Sequence, residues 1–246
     1  MSDFARSFER TADAYERGRP GYAEAALDAV PVRADAVVLD LAAGGGKLTR
    51  QLVRRFERVV AVEPLAGMRA VLQLVVPEAE ALPGTATNIP IGDDAVDAVF
   101  VGEAFHWFGN EDAVREIARV LRPGGTLAIF FNQADGKIEP SPPQEFRDAL
   151  DAVALVKPPE FTVSSGLWRT PFPGPFEPFT EISFPNAVEL DRDGMLANVA
   201  SWSTVAGLPD GEREQLLAQL SALLPEGSYR HPLSTHLSLT TLSEGG

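Results

Sequence analysis

Val37-Val38-Leu39-Asp40-Leu41-Ala42-Ala43-Gly44-Gly45-Gly46 is the stretch that decides the fold. Its first five residues are apolar, two of them β-branched, broken by one aspartate and followed by glycines, as in a strand buried on both faces of a parallel sheet. Lys47 to Phe56 then reads as a helix with Leu48, Leu52, Val53 and Phe56 on one face. Arg58 to Val62 is a second buried strand that closes at Glu63, and Pro64 suits the start of a helix carrying Leu65, Met68, Val71 and Leu72.

The alternation continues downstream. Ala95 to Val101 is a strand, and Asp112 to Leu121 is a helix with Val114, Ile117, Val120 and Leu121 inward, stopped by Pro123-Gly124-Gly125. Thr126 to Phe131 is a further strand. Strands and helices in this order imply an α/β, doubly wound, Rossmann-like sheet with right-handed crossovers.

From Ala134 to Pro185 the chain is rich in proline, with one periodic run at Gln144 to Val156 that reads as a helix. Glu177 to Phe184 reads as a strand, Asp191 to Ala206 and Gly211 to Leu224 as helices, and Ser234 to Leu242 as an edge strand. Two helices between two late strands suggest a helical cap. No flexible linker divides the chain, so the expectation is one domain over 1–246, with a cofactor-binding core over about 1–135 and late strands and cap over about 136–246.

The chain has 246 residues, a formal net charge of −14 and no cysteine. Disulfides, thiolate metal sites and cysteine nucleophiles are therefore excluded. The negative field repels phosphate backbones and anionic membranes, so neither nucleic acid nor a membrane is expected as partner. No apolar run reaches the roughly 18 residues of a bilayer span, and the polar N-terminus lacks a secretory apolar region. A cytoplasmic location is expected, and the oligomeric state is left open, a homodimer included. No metal site is expected, since His231 and His236 lack neighbours at ligand spacing.

In an open parallel sheet, ligands bind at the carboxyl ends of the strands. The Asp40 to Gly46 turn lies there, its glycines letting backbone approach a ligand closely. Glu63, seventeen residues after Gly46, is placed to accept hydrogen bonds from ribose hydroxyls. A phosphate-binding P-loop does not fit, because Leu41 stands five before Gly46 and Leu48 follows Lys47. The dinucleotide pattern fails at its third glycine, where Thr49 stands, and Asp40 would repel a pyrophosphate. A cationic nucleoside suits these residues, and S-adenosylmethionine has a sulfonium, an ammonium and no phosphate.

These segments also resemble the class I S-adenosylmethionine-dependent methyltransferases. The likeness is closest to the bacterial small-molecule group related to trans-aconitate and ubiquinone/menaquinone-type enzymes. It runs through Tyr15-Glu-Arg-Gly-Arg-Pro-Gly-Tyr22, Val38 to Gly46, Val62-Glu-Pro-Leu-Ala-Gly-Met68 and Gly84-Thr-Ala86. It continues through Asp97 to Phe108 and Ile117 to Gly125. The resemblance implies a seven-stranded, mostly parallel sheet with a late antiparallel strand. It places Asp40, Ala42, Gly44 and Gly46 around the methionine part, Glu63 on the ribose, and Pro64 and Met68 beside the adenine. It puts Thr85 and Ala86 near the adenine edge and Glu103 at the end of the fourth strand. Ala42 stands where the family usually has its first glycine, and Thr85 where many members have an aspartate.

The expected reaction is methyl transfer to an O, N or C atom of a small molecule. The alternatives are a protein that binds S-adenosylmethionine without methylating and, ranked lower, an NAD-dependent oxidoreductase. Arg19 is a candidate partner for the methionine carboxylate, since guanidinium pairs with carboxylate bidentately. His106, in Phe105-His106-Trp107-Phe108, is a candidate base, because histidine titrates in the useful range when an acceptor must lose a proton. Tyr15, Tyr22, Phe105, Trp107 and Trp202 are candidates for the substrate pocket. Packing is the simpler role for Trp107 and for the aromatics of the proline-rich segment.

Overall fold

Several of the strands follow from buried, β-branched sequence. In the computed structural model, which describes residues 17–154 and 174–243, β1 is Val37–Leu41, β2 Arg58–Val62, β3 Glu80–Leu82, β4 Val96–Gly102 and β5 Leu121–Ala134. With β6, Thr180–Asp191, and β7, Ser228–Thr241, they form one seven-stranded sheet in the order β3-β2-β1-β4-β5-β7-β6. The first five pair in parallel. β7 runs the other way: Gly124 and Gly125 exchange backbone bonds with Leu242, whereas Asp135 bonds to Pro232. The seven-stranded, mostly parallel Rossmann-like sheet with one antiparallel strand is therefore observed.

The helices are α1, Glu24–Asp28; α2, Thr49–Leu52; α3, Ala66–Val75; and α4, Glu111–Val120. They are followed by α5, Gln144–Ala154; α6, Arg192–Ala200; α7, Ser203–Ala206; and α8, Asp210–Leu223. Asn110 caps α4 by accepting from the Ala113 N–H at 3.0 Å, and Glu111 and Asp112 in its first turn complement the dipole.

Register explains where a ligand can approach. Leu41 pairs with Val62, and Val62 with Leu82, so the chain leaves β1, β2 and β3 at one level. Asp40 pairs with Phe100, which brings Gly102 and Glu103 to that same end. Strand alternation sends Leu39 and Leu41 into a cluster with Val60, Val99, Ile117 and Ile129. Val38 faces the opposite cluster of Leu48, Leu52, Phe56, Phe100 and Phe130. Burying a side chain such as Phe100, with none of it exposed, contributes about 2–3 kcal/mol.

Chain contacts divide the described residues into two compact units, one of 21–133, 174–184 and 235–243, the other of 17–20, 134–154 and 185–234. The second has its own core of Phe146, Met195, Val199, Val205, Leu220 and Tyr229. No helix among the described residues is long and apolar enough to cross a membrane.

Several expectations need correcting. The last strand is interior, between β5 and β6, and β6 is the edge. Its alternation reflects uneven burial of two covered faces. The helix expected at Lys47–Phe56 contracts to α2, because the glycine turn continues through Leu48 and turns resume at Val53. The helix expected over 191–206 breaks at Ser201-Trp202 into α6 and α7. Three-residue β3 is too short to carry a periodic signal. Phe176 packs in the core, in line with the packing role expected for the aromatics of the proline-rich segment; Trp168 and Phe172 lie outside the described residues.

Candidate functional site

The turn after β1 is built on left-handed backbone. Ala42 has φ 60°, Gly44 57° and Gly46 90°. A side chain in this region costs about 1–2 kcal/mol, so Ala42 is held there by its surroundings. The next residue anchors it: the Ala43 N–H donates to Val62 O at 3.1 Å. A Cβ at Gly46 would also be tight, 3.2 Å from Val76 Cγ2 and 3.3 Å from Leu72 Cγ, so one of those side chains would have to give. That closeness lets α3 back the turn.

Asp40 is fully buried behind this turn. The Thr49 hydroxyl donates to its Oδ2 at 2.6 Å, and its Oδ1 has no hydrogen-bond partner among the described residues. Burial pushes the Asp40 carboxyl up to about 7; the Glu63 charge adds to the rise and the Thr49 hydrogen bond opposes it. Thr49, the residue that breaks the third-glycine pattern, is thus the partner of the buried acid. Sequence spacing alone gave no sign of it.

Glu63 is buried as well. Its Oε2 accepts from the Gly44 N–H and its Oε1 from the Leu65 N–H, both at 2.8 Å. The carboxylate therefore ties the glycine turn to the entry of α3. Arg69 donates to the Glu63 carbonyl at 2.8 Å, fixing the same corner. Met68 is buried on α3 and Pro64 is half-buried. Thr85 is exposed and Ala86 buried, in a turn where Thr85 and Asn88 exchange both backbone hydrogen bonds.

At the end of β4, Glu103 adopts φ 55°, and its carboxylate accepts from the Asn132 N–H. Asn132 in turn donates to Gly21 O at 3.1 Å and accepts from the Thr235 hydroxyl at 2.6 Å. Tyr22 is clamped by Gln51, which accepts from its N–H at 2.9 Å and donates to its carbonyl at 2.8 Å. The Tyr22 ring packs on Phe130, and its hydroxyl stands where a Cβ on Gly102 would be, 2.4 Å away. Gln51 and Asn132 are two residues that periodicity does not reveal, because their role depends on partners far along the chain.

Phe105 to Trp107 forms a single 3₁₀ turn. Phe105 is fully buried and packs on Phe108, which makes it core. His106 is half-buried, its ring 4.7 Å from that of Trp107 and 5.7 Å from that of Phe131.

Asp40, Ala42, Gly44, Gly46, Glu63, Pro64, Met68, Thr85, Ala86 and Glu103 all belong to the first unit, as do Tyr22, His106 and Trp107. Arg19 and Trp202 belong to the second. There Arg19 Nε donates to the Ser201 hydroxyl at 2.9 Å and Nη2 to the Ser201 carbonyl at 3.2 Å. Trp202 Nε1 donates to Asn198 at 3.2 Å, and the ring borders the apolar core of that unit. Tyr15 lies outside the described residues.

Against this geometry, residues 39–129 match the family model described as a methyltransferase domain. An uncharacterized methyltransferase of Schizosaccharomyces pombe is 32% identical over 227 residues, covering 89% of this chain and 87% of the relative. An uncharacterized methyltransferase of Mycobacterium bovis is 48% identical over 136 residues; that match spans 55% of this chain and only 56% of the relative. Among solved structures, a protein of Anaeromyxobacter dehalogenans assigned as a type II methyltransferase has the same fold, with TM-score 0.66, 24% identity, and coverage of 92% of this chain and 98% of that one. The chain belongs to the class I S-adenosylmethionine-dependent methyltransferases.

Proposed function

We propose that the protein transfers a methyl group from S-adenosylmethionine to an O, N or C atom of a small molecule. The observation that carries the reading is the pair of buried carboxylates at one end of the sheet, Asp40 with an unpartnered oxygen and Glu63 beneath Gly44. Buried carboxylates disfavour an anionic ligand and favour a cation. This pair of acceptors therefore fits a sulfonium nucleoside and not a pyrophosphate.

When bound, S-adenosylmethionine supplies an electrophilic methyl carbon. The chain supplies position. Gly44 and Gly46 let the backbone approach the amino-acid end, Asp40 offers behind it a carboxyl that an adjacent cation would hold ionised, and Glu63 accepts from the ribose. Pro64, Met68, Thr85 and Ala86 border the base. Methyl transfer is an in-line displacement in which alignment of donor and acceptor gives most of the acceleration. Where the acceptor must lose a proton, His106 on its 3₁₀ turn is the group to take it, with Trp107 beside it. Tyr22 and Glu103 stand near the same strand end. The net charge of −14 supports a small acceptor over a nucleic acid.

Calorimetry with S-adenosylmethionine and S-adenosylhomocysteine tests the reading. Binding of both is expected, and no binding at millimolar concentration would sink it. Incubating the protein with methyl-labelled cofactor and cell extract then separates a methyltransferase from a mere binder, because only the former leaves a labelled small product.

A further inference from the structure

The loop between β3 and β4 is gripped from outside by two side chains one turn apart on α4. Arginine has five N–H donors, and at Arg119 all five find acceptors. Nε donates to Glu116 Oε2 at 2.9 Å, and Nη2 to Glu116 Oε1 at 2.8 Å and to Ile89 O at 3.0 Å. Nη1 donates to Ile91 O at 3.0 Å and to Asp93 Oδ1 at 2.7 Å. Glu116 Oε1 also accepts from the Ile89 N–H at 2.8 Å, and the Arg119 carbonyl accepts from the Asp94 N–H at 3.0 Å.

An exposed ion pair alone is worth little. Here the pair also takes both backbone groups of Ile89 and one of Ile91, so it fixes the path of the chain. The other end of the loop is pinned sterically. A Cβ on Gly84 would lie 2.5 Å from Pro90 Cδ and 3.0 Å from Val62 Cγ1, so the segment closes on itself beside the end of β2. Between these anchors lies the Thr85–Asn88 turn, its Ala86 buried in the same apolar cluster as Leu41 and Val62.

The geometry points to Arg119 and Glu116 as positioning residues that hold the Thr85–Asn88 turn where it meets the cofactor's base, so that base selectivity is set from a helix that does not touch the ligand. This rests on the cofactor reading proposed above. Lysine, with three donors on a compact head, cannot reproduce the fork, and glutamine cannot accept at both oxygens.

The test uses the full chain with Arg119→Lys and, as a second variant, Glu116→Gln. Calorimetry compares S-adenosylhomocysteine with S-inosylhomocysteine, which differs only in its base. The unaltered protein is expected to prefer the adenine ligand. Each variant is expected to bind it about tenfold more weakly and to lose most of the preference, because a small misplacement of contacts is costly. Hydrogen exchange of residues 85–94 should quicken while β1 and β2 stay protected. General destabilisation would weaken both ligands alike and leave their ratio unchanged. Intact binding with an unchanged ratio in a variant, or no preference in the unaltered protein, overturns the inference and leaves the cofactor reading standing. No binding of S-adenosylhomocysteine by the unaltered protein overturns both.

Discussion

The turn after β1 and the first residues of the loop between β3 and β4 lie at the carboxyl ends of their strands and are held by opposite means. In the loop, every donor of Arg119 has an acceptor and the acid beside it is paired. The Glu116 carboxyl sits below the usual range because the Arg119 hydrogen bonds favour its charged form. In the turn, one acid oxygen has no partner, three residues adopt left-handed backbone, and burial works against the charge. Satisfied polar groups fix a shape, whereas unsatisfied ones leave free energy for a ligand to recover. Under the proposed function, the turn is where the cofactor binds and the loop is its support.

Asp40 offers the largest test of that contrast. Burial pushes its carboxyl up to about 7 in the folded state, against 3.8 for an unperturbed aspartate. Between these values the folded state holds a proton that the unfolded state has released, so the contribution is fully present below about pH 4 and is lost as pH rises toward 7. The loss is on the order of 4 kcal/mol at neutral pH. Asp40→Asn removes the titration. Denaturant unfolding at a series of pH values should show the stability of the unaltered protein falling relative to the variant from pH 4 to 7, then levelling. The variant should also bind S-adenosylmethionine more weakly, since the charge that suits the cation is gone. Parallel curves for the two proteins would mean that Asp40 is ionised throughout.

Gly46 comes next. Alanine there must hold φ 90° with its Cβ against Val76 and Leu72. The expected loss is about 2 kcal/mol, which for a chain of this size lowers Tm by roughly 4–8 °C. S-adenosylhomocysteine affinity should fall with it, because the turn and α3 must separate. A full-affinity variant would show that the turn can yield without moving the site.

How much of this contrast was legible in the sequence depends on range. β1, β2 and β4 are runs of buried residues whose signal lies within five to seven positions, and their bounds agree to within a residue with the structure. Glycines, Asp40 and Glu63 stand at strand ends, where topology makes them informative. Thr49 was visible only as a missing glycine, because its bond to Asp40 requires the turn to have formed first. Arg119 reads as an ordinary charged helix residue paired with Glu116; its acceptors in the loop are 26 to 30 positions away, and carbonyls carry no sequence signature. The late segment was least legible. Its helices end at backbone breaks such as Ser201-Trp202, where tertiary packing overrides propensity.

The smallest effect probes whether strain in the turn is needed. Ala42 carries a Cβ at φ 60° where glycine would sit without cost. Ala42→Gly relieves about 1–2 kcal/mol of backbone strain. It returns about 0.4–1 kcal/mol through the freer unfolded chain. The net expectation is a gain of about 0.5 kcal/mol, read as a rise of one to two degrees in Tm. A drop in Tm would mean that the methyl group contributes packing that outweighs its strain. Alanine would then be fitted to this turn rather than tolerated in it, and the turn would join the loop as a part of the molecule held by contacts it has already made.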